Sequence, residues 1–381
     1  MAGFGPDGTA PGGLAFDVLG QLHFASITVF DRPFLDPLLV IECNFDGELG
    51  AFVGAFARTA PGLQAVLNCR IGPPLRSQAD VAQALHAAAR RPAAGHIGAH
   101  DLTRSEIVAS EALAGSIRQH LVARQAQFQA MTAVQAADDL RRNFAAQCPP
   151  LATRRPGLKL ALALALAVLA LAFALVIAPL LIIGALVFLR AERREPVRVR
   201  PEARIDSAAR NENRLGSAQN HFSSIAPLKA GPVRWASLWL AMGAVNLLAR
   251  LVFTQGKLGE IPSIHFAHWV VVDEGSSLIF VSNYGGTWES YLDDFIQKAA
   301  SGLTAVWSHC QGFPKSRWLA SGGARDERAF KRYARDTQAA ESIWYSAYPA
   351  LTTRRIINNR AIMEALIGLS KEPPERWLAR I

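Results

Sequence analysis

Two histidines occupy matching places in this chain. His23 lies in LHFA (22–25) and His265 in IHFA (264–267), each at the start of a run rich in β-branched and aromatic residues. A neutral imidazole can ligate a haem iron or act as a base. On equivalent strands the two would face a shared cavity; the plainer alternative is a half-buried strand histidine bonded to backbone. His265 and His268 are three apart, so in a regular strand they point to opposite faces and do not share one metal. Asn44 and Asn283 end matching strands ahead of a glycine, where an asparagine either sets the turn through side-chain to backbone bonds or contacts a ligand. Trp288 and Tyr291 follow on a helix and either cover a pocket or pack on a sheet. Glu289 and Asp293, four apart, share a helical face; paired carboxylates bind a cation or do acid–base work, and a solvated acidic face is the other reading. His309-Cys310 sets an imidazole beside a thiol, but strand neighbours point opposite ways and no third member is visible. There is no phosphate loop, dinucleotide fingerprint, HExxH or GxSxG, and no metal cluster is expected.

These residues sit in a chain of 381 residues with 40 Lys and Arg against 31 Asp and Glu, a net charge of +9. That length accommodates two or three domains. The dominant feature is Leu160 to Leu189, thirty residues without a charge. A transmembrane helix takes about 20 apolar residues, so this stretch is expected to enter a bilayer. Between Arg154 and Arg214 there are eleven basic residues against five acidic ones, so the excess charge flanks it. Arg193, Arg194, Arg198 and Arg200 are the expected contacts with anionic headgroups on the cytoplasmic face. Charge confined to those flanks argues against nucleic acid. Four cysteines with no CxxC spacing suggest neither a disulfide framework nor zinc. The start, MAGFGPDGTAPGGLAFDVLG, has no basic residue ahead of an apolar core, so no secretory signal is expected.

The elements that would hold the candidate residues come in two sets. In the first, Leu22–Phe30 and Leu38–Phe45 read as a strand hairpin, Glu48–Arg58 as a helix, Leu63–Arg70 as a third strand and Ser77–Arg90 as a helix capped by Ser77. The second restarts the pattern: His265 over His23, Asn283 over Asn44, Gly286 over Gly47, Leu303-Thr304-Ala305-Val306 over Leu63-Gln64-Ala65-Val66, and Gly312 over Gly72. Matches that recur in one order at nearly equal spacing argue for an internal repeat. The expected division is a loose N-terminus (1–20), a first module (21–100), connecting helices (101–150), a membrane segment (158–190), a basic linker (191–234), an interfacial or second membrane helix (235–255), a second module (262–350) and a C-terminal helix (351–381). The expected fold class is α+β: two ferredoxin-like modules in one chain plus membrane-inserted helical segments.

The residues IPSIHFAHWVVVD, LIFVSNYGGTWESYLDDFI and GLTAVWSHCQGFP (261–313) resemble a group of bacterial membrane-associated proteins of unassigned function. Their modules are similar to the dimeric α/β-barrel (ferredoxin-like) superfamily. The chain departs from that pattern at Gly285, usually Asp, and His268, usually Arg. The superfamily includes haem peroxidases with a GxxDG motif, of which Phe45-Asp46-Gly47 keeps only the last two residues. The resemblance implies a fold and a pocket rather than a reaction.

The function expected from the sequence is binding: an apolar or lipid-like ligand, or a partner enzyme, held at the cytoplasmic membrane surface. Ligand-binding candidates are His23, His265, Asn44, Asn283, Trp288 and Tyr291. A haem-dependent oxidoreductase, with His23 or His265 on the iron, is the alternative, and a structural membrane scaffold is another. Expected partners are membrane lipid and a protein partner or further copies of the chain, and no nucleic acid.

Overall fold

The computed structural model describes residues 14–32, 35–151, 178–194, 217–251, 263–317, 321–339 and 342–381, with 165, 168, 212 and 261 besides. The expectations for residues 1–13, most of 160–177, and Arg198 and Arg200 lie outside the described residues.

The chain opens on an antiparallel hairpin, β1 (Leu22–Phe30) with β2 (Leu38–Phe45), in which Ile27 faces Ile41. Gly47, with φ near 91°, turns the chain out of the hairpin in a conformation that a side chain would oppose. Helices α1 (Leu49–Thr59), α2 (Gly62–Leu67) and α3 (Gln78–Ala88) follow, then a short strand, β3 (Ala94–Ile97). Next come α4 (Arg104–Ala123), α5 (Gln125–Gln129), α6 (Ala133–Phe144) and α7 (Ala178–Arg194). Strand β4 (Gln219–Pro227) and helix α8 (Pro232–Leu251) precede the second hairpin, β5 (Ile264–Val272) with β6 (Ser277–Gly285). Gly286 leaves that hairpin at φ near 89°, as Gly47 leaves the first. Helices α9 (Trp288–Lys298) and α10 (Ala300–Trp307), the short strands β7 (Ser316–Arg317) and β8 (Ser321–Gly322), helix α11 (Glu327–Thr337), strand β9 (Ser342–Ser346) and helices α12 (Thr353–Leu366) and α13 (Pro374–Leu378) complete the order.

Helix starts follow local chemistry. Ser77 accepts from the Asp80 N–H while Asp80 reaches back to the Ser77 N–H, and Thr103–Glu106 and Thr132–Gln135 repeat this reciprocal cap. Two stretches expected to be strands are helices instead: Leu63–Leu67 in α2 and Leu303–Val306 in α10. Short apolar runs carry no period long enough to separate the two states, and each run here buries one side only.

The fold is α+β with two small antiparallel sheets, ordered β2-β1-β9 and β3-β5-β6-β4. Each half of the chain lends a strand to the other. β9 pairs with β1, setting Trp344 opposite Ser26 and Ile343 opposite Ile27, and β3 pairs with β5, setting Gly95 opposite His268. The crossing of β3 is close: a Cβ on Gly98 would lie 2.0 Å from the Ile264 carbonyl oxygen. Helices α1–α3 cover the outer face of the first sheet around Phe52, Phe56 and Leu63, and α8–α11 cover that of the second around Trp269, Phe280 and Tyr291. A third core, with Ile117, Leu140, Met363 and Trp377, joins α4 and α6 to the last two helices.

The membrane-inserted segments expected from the sequence are not supported, and that part of the fold class is corrected. Among the described residues no helix is long and apolar enough to cross a membrane. The described end of the apolar stretch is α7, 17 residues whose second half carries Arg190, Glu192, Arg193 and Arg194. It is pinned to protein: Phe188 is buried, and Glu192 meets Lys229 at 3.1 Å and Arg234 at 3.0 Å. Helix α8, expected at or in a membrane, packs Leu238, Met242 and Ala249 against the second sheet. Its Asn246 side chain donates to the Ala93 carbonyl and accepts from the Gly95 N–H, standing in for a further strand at the β3 edge. Apolar content alone does not separate a bilayer-spanning helix from one that buries a single stripe in a protein core.

Because β9 is the third strand of the first sheet, Ile343→Pro is expected to cost about 3 kcal/mol or more, the usual penalty for proline inside regular structure. Hydrogen exchange measures this directly: protection should fall along Phe24–Thr28 while β4–β6 keep theirs.

Candidate functional site

Between the two sheets the inward side chains form three zones. One end is apolar, with Phe30, Ile279 and Val281. The other is aromatic, with Phe24, Phe266 and Tyr348. The centre is polar and is organised on one carboxylate. Glu42, 8 % exposed, accepts from Asn44 Nδ2 at 2.7 Å, Asn283 Nδ2 at 3.0 Å and Ser26 Oγ at 3.1 Å. Each asparagine then accepts from a histidine: Asn44 Oδ1 from His268 Nε2 at 2.6 Å, and Asn283 Oδ1 from His221 Nδ1 at 3.1 Å. The two asparagines matched in sequence thus meet on a single oxygen, one from each sheet.

The sequence pairing of His23 with His265 also has a structural counterpart, at the aromatic end. Irregularities in pairing between Leu22 and Phe24 and between Ile264 and Phe266 put a bulge at the same point of both hairpins. A bulge breaks the strict alternation of a strand. His265 therefore packs on Phe24, at 5.3 Å between ring centroids, while His268 also reaches the first sheet through Asn44. The expectation that these two histidines point to opposite faces fails for that reason. His23 donates from Nε2 to Asp46 at 3.0 Å and accepts at Nδ1 from the Tyr348 hydroxyl at 2.8 Å, the tautomer that suits both partners. Asp46 is held below the usual carboxylate range: burial acts against this, and the bonds from His23 and the Arg104 N–H outweigh it. His265 is buried beside Gln219, Phe24 and Tyr348. These surroundings do not fit an iron ligand, since both nitrogens of His23 are engaged and aromatic rings pack closely on both histidines.

The other candidates lie elsewhere. Trp288 and Tyr291 are in the helix-side core of the second sheet: Tyr291 stacks on Tyr284 at 3.8 Å and the Arg335 guanidinium lies 3.5 Å from the Trp288 ring centre. Asp293 pairs with Lys331, and Glu289 with Arg335 at 3.9 Å, so the acidic face is an ion-paired one. His309 bonds Ser237 at 2.7 Å and Cys310 is buried in the core. Arg193 and Arg194 are exposed at the end of α7.

The space suited to a ligand is a pocket of about 360 Å³ on the far side of the second sheet, between α8 and the junction of α9 with α10. Val245 and Leu248 line it from α8, Trp269 from β5 and Phe295 from α9, and Lys298 and Arg325 also border it. Sequence reasoning missed this pocket because its wall comes from four separated stretches. It missed Glu42 as well, although a lone carboxylate within LLVIECNF is a legible signal. No known protein family, curated protein or solved structure matches the chain.

Two measurements check the seam. Glu42→Ala strands the donors on Asn44, Asn283 and Ser26 and is expected to cost about 3 kcal/mol, read as a lower urea midpoint. The second concerns acid. Burial lowers His96 to about 3, with help from His100 and His268, and His265 to about 3, with help from His23. Each stays neutral in the fold while its unfolded counterpart protonates near pH 6.5, so the stability is complete above that pH and is lost as pH falls toward 3. The expected slope is about 1.4 kcal/mol per pH unit for each histidine within that window, and His265→Gln should remove its share.

Proposed function

We propose that this chain is a binding protein for an apolar or amphipathic small molecule, held in the pocket between α8 and the α9–α10 junction. The pocket itself carries the reading. Its volume of about 360 Å³ falls within the range of small-molecule sites, and its wall of Val245, Leu248, Trp269, Phe295 and Leu303 is apolar with few polar groups, as such sites are. At the centre of the polar seam, by contrast, Glu42 is engaged by Ser26, Asn44 and Asn283, so these groups act to join the sheets. His23, His221, His265, His268 and His309 bond to neighbours on the same chain, while neither ring nitrogen of buried His96 has a hydrogen-bond partner among the described residues. These arrangements support binding over catalysis.

The test uses N-phenyl-1-naphthylamine, a neutral apolar dye, with the full chain and with Gly302→Leu. A Cβ at Gly302 meets no atom within 4 Å, so the side chain can be added at this lining position without backbone strain. Saturable binding of one dye per chain, weakened about tenfold or more in Gly302→Leu, is the expected result, about 1.4 kcal/mol. Equal binding by the two proteins, with circular dichroism unchanged, would place the dye elsewhere and overturn the reading.

A further inference from the structure

We infer that the outer faces of α7 and α8 rest on the headgroup region of an anionic lipid bilayer, lying along that surface without crossing it. The outer face of α8 is the first observation. The exposed positions of this helix between Trp235 and Leu248 hold only tryptophan, leucine, alanine and glycine. Trp235 is 57 % exposed, Trp239 40 % and Leu240 62 %, and a period of 3.6 sets them on the side turned away from buried Leu238 and Met242. A helix on the surface of a water-soluble domain sets charged and polar residues on its solvent side, and these positions hold none. The tryptophans sharpen the contrast. Every other described tryptophan is buried, whereas Trp235 and Trp239 lie side by side in the open, 5.9 Å between ring centroids. An indole joins an apolar body to one N–H, which suits the boundary between headgroups and acyl chains.

Helix α7 supplies the second observation. It adjoins α8: a Cβ on Gly184 would lie 4.0 Å from Val233, and the Arg234 guanidinium lies 4.7 Å from the centre of the Phe188 ring. The side of α7 turned away from these contacts exposes Ile182, Ile183, Leu186 and Val187, and then Arg190, Arg193 and Arg194 at the helix end. Among the described residues no carboxylate pairs with these three arginines. An apolar face that ends in a basic cluster is the pattern of a helix held in a bilayer interface, with its arginines at the lipid phosphates. The charge also selects among apolar partners. A second copy seated on the same patch by two-fold symmetry would add its own arginines to this end, whereas anionic headgroups neutralise those already there.

The experiment floats the full chain with vesicles of phosphatidylcholine alone and of phosphatidylcholine mixed with an equal part of phosphatidylglycerol. It compares the native sequence, Trp239→Glu with Leu240→Glu, and Arg190→Gln with Arg193→Gln and Arg194→Gln. All the replaced side chains are exposed, so the fold should survive, and circular dichroism with the urea midpoint checks it. The native chain is expected to bind the mixed vesicles about tenfold or more tighter than the neutral ones, a margin that shrinks as salt is raised. The arginine variant should lose most of that margin. The glutamate variant should lose about tenfold or more on both kinds of vesicle. No binding by the native chain, equal affinity for the two kinds of vesicle, or undiminished binding by either variant would overturn the inference. A vesicle-free dimer, seen by light scattering and lost in the glutamate variant, would overturn it too by giving the face to a second copy. None of these outcomes touches the pocket reading, whose dye measurement uses no vesicles.

Discussion

A carboxylate buried between two sheets, with no lysine or arginine paired to it among the described residues, depends on the donors around it, and those around Glu42 come from both sheets, with the His221 ring 3.7 Å away. That requirement constrains the molecule more tightly than its apolar contacts do. Apolar zones tolerate sliding, since Phe30, Ile279 and Val281 can exchange neighbours at modest cost. A carboxylate accepting from Asn44 and Asn283 cannot: displacement by one residue would turn it toward the helix-side core and leave both asparagines and their histidines unpaired. The seam thus contributes less to net stability than to the choice of a single register between the halves. Polar groups buried in cores have this role in some other folds.

The molecule separates two tasks by place. The inner faces of the sheets meet each other and are filled. The outer face of the second sheet carries helices that do not close over it completely, because α9 ends and α10 begins at Ala299 with a change of direction. Two helix ends that meet at one residue leave a gap that a continuous helix would have covered. Helix α8 then supplies the opposite wall, fixed in place by Asn246 on the edge of β3 and by Arg234 on Glu192.

The sequence made much of this legible. Both hairpins, the Ser77 cap and the glycine turns at 47 and 286 follow from local patterns of turn residues and alternation, whereas Asn44 and Asn283, read as turn-setting or ligand-contacting residues, meet on Glu42 instead. The failures also have physical causes. Leu63–Leu67 and Leu303–Val306 were too short to show a period, and tertiary burial made them helical. The bulges before Phe24 and Phe266 reset alternation without a residue type that announces them. The membrane expectation weighed total apolarity and not which side of α7 and α8 is buried. The partnerships of β3 and β9 leave no local trace, because each strand finds its place in the other half of the chain. The pocket was hidden likewise, its walls being set side by side only by the finished fold.

The exchanged strands impose an order on assembly as the chain emerges. Hairpin β1–β2 is made early, yet Ser26 finds Trp344 only about 300 residues later. At roughly 5–20 residues per second, that is a wait on the order of fifteen seconds to a minute for an unpaired strand edge. During that interval β1 presents free backbone groups of the sort that recruit foreign strands. Of its inward residues Phe24 and Phe30 are apolar, but Ser26 and Thr28 between them are polar, as is Glu42 on β2, and this breaks the apolar run that would make the waiting face a template for aggregation. The same side chains that later fix the register therefore guard the nascent sheet until its last strand arrives.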